Sequence, residues 1–264
     1  MKKIVTGLSC LGFGAYLISN TLSEHPNGIN VYHSDKFDNS FLCSGVVTEI
    51  RSKISNVDVF YFKNQGFGTK TQGFFAEPPF YVSSNKPRIY IRESSFENMH
   101  FTCLHESFHA YVKSVNLNLS SLLFIDELRD EIFLNSNLIE NLFIDFNFDD
   151  ISDSGILDKI KYLSTNYDSF SSSDYVLQLT DVFHQLNRLE LDEKNTLIRK
   201  QLAGIIYRLK YVLTYDELFA RLLTSYVYDL SDDSYAVSRS FLESNSLFVE
   251  FLSVNKLFFP FTYK

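Results

Sequence analysis

From residue 94 onward, apolar residues recur at helical spacing with few interruptions, so whatever this chain folds into must be dominated by helices. The spacing predicts helices over 94–115, 120–143, 154–165, 173–190, 193–211, 215–229 and 238–254, with loops at Asp149–Ser154 and Ser169–Asp174. Ser94 and Glu97 stand at capping-box spacing and mark the first helix start. Strand signals lie ahead of residue 94. Ile29–His33 reads as a short strand, and Val57–Phe62 is a β-branched and aromatic run followed by a bend at Gly66-Phe67-Gly68. Phe74-Phe75 and Phe80-Tyr81-Val82 flank Pro78-Pro79 and are expected as short edge pieces. Arg88–Arg92 alternates, with Ile89 and Ile91 on one face and Arg88, Tyr90 and Arg92 on the other. Phe41–Ile54 has helical spacing. A strand-rich lobe followed by a helical one is an α+β arrangement. The expectation is a single domain over 24–264, with a strand-rich lobe at 24–115 and a helical lobe at 116–264.

Composition removes several classes of function. With 26 Phe and 16 Tyr among 264 residues, the chain cannot be a solvated coil. A net charge of −8 repels phosphate, and no basic run offsets it, so nucleic acid is not an expected partner. Cys10, Cys43 and Cys103 are too few for a disulfide scaffold and form no CxxC pair. Lys2 and Lys3 precede an uncharged stretch from Ile4 to Asn20, the layout of a secretory signal or membrane anchor over residues 1–23. An ordinary buried N-terminal segment is the other reading, so export, anchoring and a cytoplasmic location all stay open. Export would allow one disulfide between Cys43 and Cys103.

The chemistry is concentrated in the first long helix. His105, Glu106 and His109 match H-E-x-x-H. Residues four apart lie one turn apart on a helix face, so two imidazoles can reach one zinc ion while Glu106 reaches an attacking water as its general base. Phe96, Phe101, Leu104, Phe108, Tyr111, Val112 and Val115 form an apolar stripe that packs this helix into a core. Arg88–Arg92 stands where an edge strand would hold an extended peptide.

Zinc at such a site needs a third protein ligand. No Gly and third His follow His109 closely, which excludes the metzincin pattern, and a carboxylate on a later helix is the common alternative. Two stretches compete: Asp126–Glu131, and Tyr215–Val227. The second is favoured through Glu217. Leu218, Phe219, Leu222, Leu223 and Tyr226 give it an apolar side, and Ala220 permits close helix approach. The plainer account of Asp216 and Glu217 is a pair of exposed acids at a helix start. Glu127 and Glu131 remain candidates, although Asp126, Arg129 and Asp130 surround them with charge.

His105-Glu106-Ser107-Phe108-His109-Ala110, followed by Glu217-Leu218-Phe219-Ala220-Arg221 and Tyr226, resembles the gluzincin zinc metallopeptidases. The nearest branch is that of the anthrax lethal factor catalytic domain and small phage- or plasmid-encoded relatives. The resemblance rests on these two short segments. It implies a zincin-like fold, one zinc ion bound by His105, His109 and Glu217, and Glu106 as general base. It also implies a tyrosine about two turns before the third ligand that stabilises the oxyanion. Tyr211 stands nearest that place and Tyr215 is the fallback. The stretch between His109 and Glu217 is longer than a compact member needs, so a helical insertion is expected over 116–210.

The leading expectation is therefore a zinc-dependent metallopeptidase, an endopeptidase rather than an exopeptidase, acting on a protein or peptide. A cell-wall peptide is the variant substrate. The competing expectation is a catalytically inactive zincin-like structural or interaction protein within a larger assembly, against which the intact His105, Glu106 and His109 argue. A protein partner through the helical lobe and membrane association through the N-terminal segment are further expectations. The apolar stretches at Leu247–Leu252 and Phe258–Phe261 are expected to pack on the helical lobe. His184 lies between apolar helix positions and is expected as a core or surface histidine, His25, His33 and His100 have no partner at ligand spacing, and Cys103 is given no catalytic role.

Overall fold

A computed structural model describes residues 31–32, 57–62, 72–77, 87–135, 138–189, 193–228 and 238–257. The signal-like stretch, the helix expected at 41–54, Cys10, Cys43, the bend at 66–68 and the aromatic tips at 80–82 and 258–261 lie outside them. The fold is mixed α+β and mostly helical, as the sequence indicated. The chain divides into two compact units, Met1–Val115 and Asn116–Lys264.

In the first unit, β1 (Val31–Tyr32), β2 (Asp58–Phe62), β3 (Gly73–Ala76) and β4 (Arg88–Arg92) form one sheet in the order β1-β2-β4-β3. β2 and β4 run parallel, while β1 and β3 are antiparallel to their neighbours. Arg88–Arg92 is thus not the edge strand that its alternation suggested. It lies between β2 and β3, with all five residues buried, and β3 takes the border position among the described strands. Alternation reports which face a side chain takes and says nothing about lateral neighbours. The arginines fit an internal strand because aromatic rings receive them. The Arg88 guanidinium lies 5.6 Å from the centroid of Phe60, and Arg92 lies 5.6 Å from Phe62. The register aligns Phe60, Tyr90 and Phe74 across three strands, and their rings stack at 5.4 Å and 4.6 Å.

The helix α1 (Phe96–Ser114) packs on β3 and β4. Its cap is Ser95 rather than Ser94: the Ser95 side chain accepts from the Asn98 backbone N–H. Leu104, Phe108, Tyr111 and Val112 of the expected stripe are buried, joined by Met99 and Cys103, whereas Val115 at the helix end is exposed.

The second unit is a run of helices. A short 3-10 turn at Leu119–Ser121 precedes α2 (Leu123–Asn135) and α3 (Leu138–Phe143), which lie within the span expected as one helix over 120–143; residues 136–137 are outside the described residues. Next come α4 (Ser154–Thr165), α5 (Ser172–Leu186), α6 (Glu193–Val212), α7 (Tyr215–Tyr228), α8 (Arg239–Ser244) and α9 (Ser246–Val254). The break between α8 and α9 has a clear cause. Asn245 closes the first of them, and its side chain caps the second at the Phe248 N–H, 2.9 Å away. α4 packs on α5 and α5 on α6 around a core that includes Ile160, Tyr175, Leu179, Leu186, Ile198, Leu202 and Leu209. Arg199 donates to the carbonyls of Leu186 and Leu189, satisfying acceptors that the end of α5 leaves open. The aromatic stretch in α9 packs inward, with Phe248 and Phe251 against Phe124 and with Phe251 against Phe219. No helix among the described residues is long and apolar enough to cross a membrane.

Candidate metal centre

On α1, the i,i+4 spacing does what the sequence required of it. The Nε2 atoms of His105 and His109 lie 3.3 Å apart, with the rings edge to face at 79°. Two nitrogens each about 2.0–2.1 Å from a tetrahedral zinc ion stand about 3.3 Å apart, so the pair already has the bite of two imidazole ligands. Glu106, between them in sequence, is 7% exposed. Its neighbour Ser107 turns its hydroxyl back onto the Cys103 carbonyl at 2.6 Å and so stays within the helix.

Glycine at position 73 shapes the wall beside Glu106. A Cβ built at Gly73 would overlap the Thr102 methyl, stand 2.8 Å from the Tyr90 carbonyl oxygen and come 3.5 Å from the Glu106 Cγ. β3 therefore passes over the Thr102–Glu106 face of α1 at a distance only a missing side chain permits. His100, six residues before Glu106 on α1, is buried, and desolvation lowers its pKa from the ordinary 6.5. Burial likewise raises the Tyr111 phenol.

In the second unit, α7 is buried almost all round: Leu218, Phe219, Ala220, Leu222, Leu223, Thr224, Ser225 and Val227 are inside, and so is Glu217 at 2% exposure. A solvated acid at a helix start is thereby ruled out for Glu217. Its Oε1 accepts from Arg221 Nη2 at 2.6 Å, one turn along the same helix. The start of α7 is fixed by a second cluster. The Tyr215 hydroxyl donates to Asp126 Oδ1 at 2.9 Å, and the Arg129 guanidinium lies 4.6 Å from the Tyr215 ring centroid and 3.4 Å from the same carboxylate.

His105 and His109 stand in the first unit and the buried Glu217 in the second. The donor set of two imidazoles and one carboxylate is that of three-ligand zinc sites. Glu127 is exposed and accepts from Asn245 Nδ2 at 2.9 Å. Of the two tyrosines, Tyr215 has its hydroxyl engaged by Asp126, while Tyr211 near the end of α6 is 51% exposed. Cys103 is buried, and Cys43 lies outside the described residues.

Two residues at these sites were given no role by sequence reasoning. Gly73 opens β3, beside the aromatic pair Phe74-Phe75 that the sequence marked as an edge piece, and a glycine at a strand can mark close backbone approach. Arg221 stands four residues after Glu217, the spacing of a helical ion pair. No protein-family model matches the chain, and searches of curated proteins and of solved structures gave no match.

Proposed function

We propose that this chain is a zinc-dependent metallopeptidase of zincin-like architecture, with His105, His109 and Glu217 as the metal ligands and Glu106 as the general base. One observation carries the reading: the Nε2 atoms of His105 and His109 lie 3.3 Å apart, beside the Glu of the same H-E-x-x-H segment. Bound there, zinc would supply Lewis acidity, lowering the pKa of water and polarising a substrate carbonyl.

The chain's own residues do the rest. His105 and His109 must bind as neutral imidazoles through Nε2, the atoms that face each other across 3.3 Å. The Glu106 carboxylate takes the proton of the attacking water and returns it to the leaving amine. Its burial beneath β3 excludes bulk water and limits its rotamers. Tyr211 is assigned as the phenol that donates to the developing oxyanion, because the Tyr215 hydroxyl is held by Asp126.

The test is digestion of casein and of a random peptide library, with and without a chelator, by the unaltered chain and by Glu106→Gln. Cleavage that stops with chelator and returns with zinc is expected, as is a fall of about 10²–10⁴-fold in rate for Glu106→Gln. A Glu106→Gln protein that cuts as fast as the unaltered one would contradict the mechanism.

A further inference from the structure

A carboxylate buried as deeply as Glu217 needs compensation, and α7 supplies it from one turn away. The Arg221 Nη2 to Glu217 Oε1 distance of 2.6 Å is that of a short charge-assisted hydrogen bond. The order, with the acid N-terminal to the base at i,i+4, is the favourable one on a helix. Both groups sit on one helix most of whose residues are buried, so their relation does not depend on a loop. The Arg221 side chain keeps 22% of its exposure while that of Glu217 keeps 3%. The base therefore reaches inward to the acid.

We propose that Arg221 is a positioning residue for the third ligand: it holds Oε1 of Glu217 and so presents the other carboxylate oxygen, Oε2, for one-oxygen coordination of the metal. The proposal rests on the zinc reading and adds to it how the carboxylate binds. A carboxylate with both oxygens available can chelate a metal through two, raising the coordination number and filling the position that a catalytic site keeps open. A guanidinium fixed on one oxygen prevents that, and orients the ligand in the manner of other outer-shell partners. Arginine suits this task better than lysine, because its planar fork fixes direction as well as charge.

The experiment uses the full chain, loaded with zinc for affinity and with cobalt(II) for spectroscopy, in unaltered form and as Arg221→Met, Arg221→Gln and Arg221→Lys. Circular dichroism of the metal-free proteins reports folding separately. Arg221→Met is expected to lose about 10–100-fold in zinc affinity, measured by competition with a chromophoric chelator. Its cobalt d–d bands are expected to lose intensity as the second oxygen joins the metal. Arg221→Lys should recover part of both, since it keeps the charge without the fork. If Arg221→Met does not fold, Arg221→Gln is read in its place.

Zinc affinity and cobalt bands that match the unaltered protein in a folded, uncharged variant would overturn the assignment, because a merely structural ion pair moves stability and leaves coordination alone. Failure of the unaltered chain to bind either metal is a different result. It would remove the zinc reading itself, and this proposal with it.

Discussion

Glu217 and Gly73 show how much can turn on a single position. The carboxylate is buried with Arg221 as its ion-pair partner, and the glycine leaves room for β3 to cross α1 at Thr102 and Glu106. Gly73→Ala is expected to destabilise the protein by about 1–3 kcal/mol through overpacking. It is also expected to lower kcat more than KM if the Glu106 side chain is displaced, with urea denaturation and steady-state kinetics as the two measurements. His100 predicts a pH effect. Because burial lowers its pKa below the ordinary 6.5, the unfolded chain takes up a proton before the folded one does. Stability should therefore be full above that value and fall as the pH drops from 6.5 towards the folded pKa. Urea midpoints at pH 7.5 and 5.5 should differ less for His100→Gln than for the unaltered chain. At this scale the sequence was informative where chemistry depends on local spacing. His105, Glu106 and His109 were readable because a helix converts i,i+4 into proximity. The close approach of β3 to α1 at Gly73 joins separate elements, and no local pattern names Thr102 and Glu106 as the residues it meets.

Among the elements, α7 places a candidate ligand in its first turn, where helices ordinarily fray. The Tyr215–Asp126–Arg129 cluster ties that turn to α2. Tyr215→Phe removes one hydrogen bond and is expected to cost about 0.5–1.5 kcal/mol. Hydrogen exchange should then speed up at the backbone amides of the first turn of α7 and stay unchanged in α5. Equal protection in both proteins would show that the cluster does not hold the turn. Helix existence was legible here because amphipathic spacing is strong over long segments, and α4, α5, α6 and α7 fall where it placed them. The breaks were not, since Asn245 acts as a cap only once the flanking helices have taken their directions. The position of β4 was also misread. Its arginines look like solvent-facing edge residues until Phe60 and Phe62 on the adjacent strand are seen to receive them.

At the scale of the whole molecule, aromatic rings among the described residues pack on the sheet and among the helices of the second unit. The α+β class followed from the order of strand and helix signals, whereas the sheet order and the ion pairs required tertiary packing to be known. If folding builds the ligand set, zinc binds the native chain and not the unfolded one. Added zinc should then raise the melting temperature, by the equivalent of about 2.7 kcal/mol at a hundredfold excess over its Kd. Calorimetry with and without zinc checks this. The central claim is that His105, His109 and Glu217 share one zinc ion, and metal content by mass spectrometry tests it most directly. The comparison is the purified chain beside His109→Ala and Glu217→Ala. The account predicts about one zinc per unaltered chain and a loss of zinc in both variants. Zinc retained at full occupancy in Glu217→Ala, or no zinc in the unaltered chain after reconstitution, would contradict it.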